Sequence, residues 1–471
     1  FDLYPPDKIN PREWGHIVSR DLKIWSDWPS LISDSPYDKV SVFSGNCIVN
    51  ETNGHPTCIY TGIPSMTVGA PSFGVCATST DWINWEKSGC MSDFPGDNKQ
   101  NEKSQVNHDS AIYSWGGRYY MLSGGCTYTD GSNDDDGTDC RGNAQIWVSD
   151  DLKTWKYSNP IHLLNDGGGY WELPYLLPFD SDGNALRNDQ IDEAESVVLL
   201  VGRGSANIYF TGEFDTKTNT FAPSGGSFST ATLNADTGCS YSYNVHLTDI
   251  DSNGNTRRIG YAWVKSDPIT YLSPAVVEGT VPYWASTHTL ARKISFIDGR
   301  FVQEVVEESL NRIGDPFTKT GAVLEEGGSG YLEGLVGNGL EINVSWELEN
   351  DSLPEVLTVL TRLGDSYSCD VSFNYTSSTL CIEGDVPSGD VKRCTNAGLG
   401  KLETKSMKVI VDASVIEVYL GGEVLTGRCT LPAGVKLEDS NRSDISVVGG
   451  TAKVDIAAFV IGSSYDDSVV A

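Results

Sequence analysis

The stretch Gly167–Pro174 places a single carboxylate, Glu172, between a tryptophan and a Leu-Pro pair. The three glycines that open it let the backbone take positive φ and approach another surface closely. The proline is expected to hold Leu173 extended. A carboxyl beside a large apolar ring, with room around it, is in a setting that suits proton donation near neutral pH. We therefore interpret Glu172 as a candidate general acid, with an ordinary exposed loop glutamate as the alternative.

A second carboxylate, Asp109, lies where the polar triplet Asn107-His-Asp meets the start of a predicted β-hairpin. Taken alone, Asp109 is equally well explained as a residue that caps a turn. Two carboxyls among many aromatic side chains are, however, the equipment of a glycosidase. One acid protonates the leaving oxygen, and other carboxylates meet the positive charge that develops on the sugar.

Several other enzyme classes are disfavoured. The sequence contains no Gly-x-Ser-x-Gly, no His-Glu-x-x-His and no phosphate-binding loop. Its 6 histidines lack ligand spacing, and none of its 11 cysteines forms a Cys-x-x-Cys pair, so we expect no metal and no cofactor. The acidic stretch 130–139 resembles part of a calcium loop but lacks the closing glutamate. We interpret it as a solvated loop, which a Cys126–Cys140 disulfide would close.

Composition limits the partners and the compartment. The net charge of −31 over 471 residues disfavours nucleic acid and anionic membranes as partners and favours a neutral or cationic ligand. No apolar run is long enough to cross a membrane as a helix. Five Asn-x-Ser/Thr sequons and the many cysteines favour a secreted, extracellular or vacuolar glycoprotein with disulfides, and the odd cysteine count predicts one free thiol.

A repeat gives the clearest indication of architecture. A Ser-x-Asp-x-x-x-Trp pattern recurs three times, 60 and 70 residues apart, each time after a short β-rich run, at Ser19–Trp25, Ser79–Trp85 and Ser149–Trp155. In each copy the aspartate can bond turn amides, and the tryptophan can open the next strand. Such units point to the blades of a β-propeller.

The chain changes character near residue 312. Gln303–Arg312 has apolar positions at helical spacing and predicts a short linker helix. The strand-like segments that follow predict an antiparallel β-sandwich, so the whole protein is expected to be all-β. These segments are Leu340–Trp346, Glu355–Arg362, Ser366–Tyr375, Met407–Val411, Val415–Leu420 and Ala452–Ile461.

Taken together and in order, these motifs resemble glycoside hydrolase family 32, the group of invertases, inulinases and fructan hydrolases. The resemblance covers nearly the whole chain and implies a five-bladed propeller at 1–312 and a sandwich at 313–471. The segments that carry it are Trp14–His16 with Ser19–Trp25, Val42–Gly45, His108-Asp109, Trp171–Pro174, Tyr209–Asp215, Gly260–Trp263, Trp284–Arg292 and Met407–Arg428.

The resemblance also implies roles for individual residues. Glu172 would be the acid/base, in place of the family's Glu-Cys-Pro motif, and Asp109 would stabilise the transition state, in place of Arg-Asp-Pro. The implied substrate contacts are Phe43, Ser44, His108 and Trp263.

Three departures from the family pattern stand out. Histidine replaces the family's arginine at His108, and leucine replaces its cysteine at Leu173. The family's nucleophile, an aspartate in an Asn-Asp-Pro-like motif, has no counterpart in this sequence, and Asp2 does not match it. Because the sequence opens on Phe1, we expect a processed or truncated product whose first blade lacks its first strand.

The implied reaction is hydrolysis of a β-fructofuranoside, such as sucrose or a fructan, with retention of configuration. One alternative is fructosyl transfer, in which a sugar replaces water as the acceptor. The other is a carbohydrate-binding protein that retains the propeller without turnover.

Overall fold

A computed structural model describes most of the chain, and all structural statements below concern these residues. They are 2–3, 13–65, 73–90, 104–128, 140–161, 171–204, 206–224, 233–264, 287–346, 354–364, 368–384, 391–395, 406–412, 415–429 and 442–462. The stretch 130–139, with its predicted calcium-like loop, lies outside them. So do the side chains of Cys126 and Cys140, so their predicted disulfide stays a prediction.

The N-terminal part of the chain folds into five successive antiparallel sheets, the blades of a β-propeller. The first blade comprises β1 (Asp2–Leu3), β2 (Glu13–Ser19) and β3 (Trp25–Leu31). The second comprises β4 (Ser41–Val49), β5 (Pro56–Ile63), β6 (Phe73–Ser79) and β7 (Trp85–Gly89). The third comprises β8 (Ser104–Trp115), β9 (Arg118–Tyr128), β10 (Cys140–Ser149) and β11 (Lys156–Ile161).

The last two blades have five strands each among the described residues. The fourth comprises β12 (Trp171–Phe179), β13 (Ser196–Arg203), β14 (Ala206–Asp215), β15 (Thr220–Pro223) and β16 (Leu233–Asp236). The fifth comprises β17 (Ser240–Ile250), β18 (Thr256–Val264), β19 (Thr287–His288), β20 (Arg292–Ile297) and β21 (Arg300–Val305). A short 3-10 helix, Asn188–Glu193, lies between β12 and β13.

The three repeats fold into the same turn between two strands, as predicted. In each copy the aspartate accepts hydrogen bonds from the backbone amides two and three residues later, and the serine hydroxyl donates to it. The tryptophan opens the next strand in the first two copies and precedes it by one residue in the third. The residue after each aspartate is left-handed: Leu22 has φ 60°, Trp82 has φ 66° and Leu152 has φ 62°.

The C-terminal part is a β-sandwich of two antiparallel sheets. The six-stranded sheet contains β22 (Arg312–Glu325), β23 (Gly339–Trp346), β28 (Ser406–Asp412), β29 (Val415–Leu420), β30 (Glu423–Arg428) and β32 (Thr451–Ile461). The five-stranded sheet contains β24 (Val356–Leu363), β25 (Cys369–Asn374), β26 (Thr379–Gly384), β27 (Val391–Cys394) and β31 (Arg442–Val448). One apolar core draws buried side chains from both sheets. Because both inner faces are apolar, stacking them removes that surface from water.

The predicted linker helix at Gln303–Arg312 is wrong. The stretch begins as the end of β21, passes through one 3-10 turn at Glu307–Ser309, and continues into β22. In β21 burial alternates with a period of two, because Phe301, Gln303 and Val305 point inward. Ladder pairing with β20 therefore overrides the local helical spacing.

Among the cysteines that the structure describes, eight pair in four disulfides, two in the propeller and two in the sandwich. The pairs are Cys47–Cys58, Cys76–Cys90, Cys369–Cys429 and Cys381–Cys394. Cys239 is a free thiol, which agrees with the odd cysteine count. In the described part of the chain, no helix has the length and apolar character needed to cross a membrane.

Candidate active site

The first strands of four consecutive blades, β4, β8, β12 and β17, contact one another in sequence. We call them the inner strands. Each has a register shift near its start: between Val42 and Gly45, Val106 and Ser110, Glu172 and Tyr175, and Tyr241 and Asn244. A β-bulge re-aims the side chains around it, which is why bulges concentrate at functional sites. Most of the predicted site residues lie at these four bulges.

Glu172 is the second residue of β12 and is half-buried. The preceding Trp171 is fully buried and stacks on Phe210 with ring centroids 5.5 Å apart, which anchors the strand. Strand β9 approaches closely at Gly124, where a Cβ would lie 2.3 Å from the Trp171 carbonyl oxygen and 3.1 Å from the Glu172 Cα. Only glycine fits there, so β12 is held between two blades with its carboxylate at the bulge.

The expectation that Pro174 keeps Leu173 extended is wrong. Leu173 has φ 46°, in the left-handed region, and its side chain is buried. It lies within the shift between Glu172 and Tyr175, where the chain must bulge to rejoin β13. The bulge therefore overrides the local preference of a residue before proline.

Tyr241 is the described partner of Glu172. Its hydroxyl donates a hydrogen bond to the Glu172 Oε2, and its ring is buried at the start of β17. Burial raises the pKa of Tyr241, and the neighbouring carboxylates of Glu172 and Asp109 raise it further. Tyr241 therefore keeps its proton and acts as a donor to Glu172.

Asp109 is half-buried in the bulge of β8, one residue before the regular ladder resumes at Ser110. Its charge acts on the hydroxyls of both Tyr241 and Tyr175, which belong to the next two inner strands. Asp109 and Glu172 thus share Tyr241 as a neighbour. The structure brings together the two carboxylates that the sequence analysis selected.

Three of the four predicted sugar contacts lie on the inner strands, and the fourth, Trp263, lies on the adjacent strand β18. Phe43 and Ser44 occupy the bulge of β4, half-buried and exposed respectively. Trp263 is 38 % exposed on β18, directly opposite Tyr241. His108 lies in the bulge of β8, and its side chain is outside the described residues.

Aromatic and basic side chains also link the inner strands to one another. The Tyr113 hydroxyl accepts a hydrogen bond of 2.9 Å from the Leu176 amide, and its ring lies edge-on to His246 at 5.0 Å. Burial, with the charge of Arg258, lowers the pKa of His246 to about 3. Burial also lowers the pKa of Arg258 to about 10, and its guanidinium donates 3.0 Å to the Val245 carbonyl oxygen. His246 is therefore neutral at ordinary pH.

No group of three or more His, Cys, Asp or Glu side chains that could hold a metal ion occurs among the residues that the structure describes. The sequence analysis missed Tyr241. Its setting, Ser240-Tyr-Ser-Tyr243, carries no motif that distinguishes it from any tyrosine-rich strand. Only the approach of β17 to β12 reveals its partner.

Comparison with known proteins follows the same division of the chain. The pattern of the glycosyl hydrolases family 32 N-terminal domain matches residues 3–305, and that of the family 32 C-terminal domain matches residues 311–460.

Curated relatives are distant. A fructan 6-exohydrolase of Beta vulgaris is 27% identical over 57% of this chain and 44% of its own length, and a levanase of Bacillus subtilis is 24% identical over 87% and 58%. A cell wall isozyme of β-fructofuranosidase from Pisum sativum is 24% identical over 72% of this chain and 59% of its own length. The chain thus spans roughly half the length of these relatives.

Solved structures share the fold over nearly the whole chain. Fructan 1-exohydrolase IIa of Cichorium intybus in complex with 1-kestose superimposes with a TM-score of 0.75 at 19% identity, covering 98% of this chain and 93% of that one. A β-fructofuranosidase mutant of Bombyx mori in complex with sucrose gives 0.69 at 17% identity, covering 99% and 88%. With both domain patterns matched in order along it, this chain belongs to glycosyl hydrolase family 32.

Proposed function

We propose that this protein is a β-fructofuranosidase that hydrolyses sucrose or fructans with retention of configuration. The observation that carries the proposal is the pair of half-buried carboxylates, Glu172 and Asp109, at the bulges of neighbouring inner strands around one buried tyrosine donor, Tyr241. Family membership gives this pair its chemical context.

In this proposal Glu172 acts as general acid and then as general base. It protonates the glycosidic oxygen as the leaving alcohol departs, and it then takes a proton from the water that releases fructose. The bond from Tyr241 holds the carboxyl in one orientation between the two steps. Asp109 forms no covalent bond and stabilises the positive charge on the ring, through the ring hydroxyls.

Retention requires a nucleophile about 5 to 5.5 Å from the acid/base. No residue of this sequence is assigned that role. Phe43, Ser44, His108 and Trp263 are proposed to contact the sugar. We also propose the division into a catalytic propeller at 1–312 and a supporting sandwich at 313–471.

The proposal is tested by incubating the protein with sucrose, inulin and levan and measuring released fructose, with the anomeric form of the first product read by NMR. We expect release of β-fructofuranose from at least one of the three, and its loss in Glu172→Gln. Transfer of fructose to a second sugar at high sucrose would identify a transferase instead. Tight binding of one of these sugars without released fructose would identify a carbohydrate-binding protein.

Localisation is proposed as extracellular or vacuolar. The support is the four disulfides, which form in oxidising compartments, and the cell-wall name of the pea relative. The net charge of −31 makes nucleic acid an unfavourable partner.

A further inference from the structure

A buried cluster of charged and polar side chains joins the propeller to the sandwich. The propeller contributes Asp236 from β16 and Arg292 from β20, and the sandwich contributes Glu417 from β29 and Thr426 from β30. All four are buried, and we call them the Asp236 cluster. Buried charges are stable only when they are paired and hydrogen-bonded, so the members of this cluster must keep well-defined positions relative to one another.

Arg292 is the centre of the cluster. Its guanidinium lies 3.1 Å from the Asp236 Oδ2 and 2.7 Å from the Glu417 Oε2, and it donates 2.6 Å to the Thr426 hydroxyl. The Thr426 hydroxyl in turn donates to the Asp236 Oδ2. Glu417 and Thr426 of the sandwich therefore complete the hydrogen bonding of Arg292, and Thr426 also bonds to Asp236.

The same cluster also holds the start of β17 through hydrogen bonds. The Asp236 carboxylate accepts 2.7 Å from the Ser240 hydroxyl and 2.8 Å from the Gly238 amide. The Cys239 amide donates 2.8 Å to the Thr426 carbonyl oxygen. The sandwich backbone is so close that a Cβ on Gly238 would lie 1.9 Å from that oxygen. The segment that leads into Tyr241 is thus packed closely on the sandwich and hydrogen-bonded to it.

The backbone at the start of β17 is also strained. Ser242 has φ 53°, in the left-handed region, within the bulge of β17. Tyr241 lies between Ser240, which bonds to Asp236, and Tyr243, whose hydroxyl accepts a hydrogen bond from Arg292. Left-handed backbone at a residue other than glycine persists where the surroundings over-determine it. The cluster supplies that constraint on both sides of Tyr241.

We propose that Thr426 and Glu417 are positioning residues for the acid/base, acting through the start of β17 on Tyr241 and from there on Glu172. This inference rests on the proposed function. In the described structure, the hydrogen bonds of the two sandwich residues do not include Glu172. They fix the place of the hydroxyl that orients the catalytic carboxyl, and a displacement near 1 Å at such a group costs on the order of a hundredfold in rate.

The test compares three variants with the wild-type chain. Thr426→Val removes the hydroxyl at nearly constant volume, and Thr426→Ser restores it. Glu423→Gln is the matched control, because Glu423 forms a 2.8 Å ion pair with Arg300 across the same interface without contacting β17 in the described structure.

Two substrates separate positioning from stability. Sucrose has a poor leaving group and needs the general acid, whereas an aryl β-fructofuranoside with a nitrophenolate leaving group does not. We expect Thr426→Val to lower kcat/KM on sucrose by about tenfold, with less than about twofold loss of kcat/KM on the aryl substrate, because kcat/KM reports only the step in which the leaving group departs. We expect the pH profile of kcat to move in the same variant. Thr426→Ser should recover most of the loss, and Glu423→Gln should leave both substrates within about twofold.

A second measurement follows the segment itself. Hydrogen exchange of the amides from Cys239 to Tyr243 should accelerate in Thr426→Val and stay at the wild-type rate in Glu423→Gln. Equal losses on both substrates, or unchanged exchange in β17, would overturn the inference. Wild-type protein that turns over neither substrate would instead overturn the proposed function, so the two failures are distinguishable.

Discussion

Two glutamates in the molecule are placed in opposite ways. Glu417, in the sandwich, is 2 % exposed and saturated: it accepts from Arg292, from the Leu290 amide at 2.6 Å and from the Tyr419 hydroxyl at 2.8 Å. Glu172, at a propeller bulge, is half-buried, and among the described residues Tyr241 is its hydrogen-bond donor.

The difference separates a structural carboxylate from one that can do chemistry. A carboxylate whose oxygens are all bonded to buried donors has no free side on which to meet a substrate. A carboxyl group with an open side can exchange a proton with a substrate oxygen there. Glu417 lies on a strand with regular pairing to both neighbours, whereas Glu172 lies at a β-bulge. The backbone therefore also differs between the structural and the candidate catalytic glutamate.

The largest expected effect is on turnover at the open glutamate. Glu172→Gln keeps the hydrogen bond from Tyr241 but cannot donate a carboxyl proton. We expect kcat on sucrose to fall by about a thousandfold, within the usual range for loss of a general acid. The melting temperature should stay within about 2 °C of wild type. Near-normal turnover in this variant would falsify the assignment of Glu172.

The saturated glutamate should show its largest effect on stability. Glu417→Gln leaves the guanidinium of Arg292 without one of its buried carboxylates, so we expect a loss of about 3 kcal/mol in the free energy of unfolding. Denaturant titration measures it, with Glu423→Gln as the control at a partly exposed ion pair, expected to lose less than about 1 kcal/mol. If both variants lost the same small amount, the contrast between the two glutamates would fail.

A third prediction concerns the loss of folding stability at acid pH caused by the buried His246. The pKa of His246 is about 3 in the folded protein, because burial and Arg258 oppose its protonation. An unfolded chain takes up this proton near pH 6.5, so below that pH the unfolded state binds more protons and stability falls as the pH drops toward 3. At pH 5 this group alone accounts for about 2 kcal/mol of lost stability.

The variant His246→Phe keeps a ring against Tyr113 and removes the titration. Its free energy of unfolding should therefore fall less than that of wild type between pH 7 and pH 5, by urea titration at both values. Parallel losses in the two proteins would show that His246 does not titrate differently on unfolding.

The smallest expected effect is on the orientation of the acid. Tyr241→Phe removes the donor to Glu172 and keeps the ring. We expect about a tenfold loss of kcat on sucrose with KM within about twofold, because the lost bond serves proton transfer rather than sugar binding. A change confined to KM would place Tyr241 among the substrate contacts instead.

Much of the fold could be predicted from local patterns. The turn repeats, with their fixed Ser, Asp and Trp, form the expected turns because each is held by bonds within seven residues. The sandwich strands predicted at Leu340–Trp346 and Val415–Leu420 coincide with observed strands within one residue, since β-branched and apolar residues there are continuous. The predicted helix failed because the partner strand β20 is decisive and lies outside the window that suggested it.

The sequence by itself determined the all-β class, the turn repeats, and the identity of Glu172 and Asp109 as the unusual carboxylates. All of these rest on residues close together in the chain. The tertiary structure alone decided that Tyr241 donates to Glu172, that Leu173 is left-handed, and that sandwich residues bind the start of β17. The contacts among these join residues 69 to 190 positions apart. Only the packing of the blades on one another and on the sandwich decides which distant groups meet. The free energy gained by burying apolar surface depends on the whole arrangement rather than on any local segment.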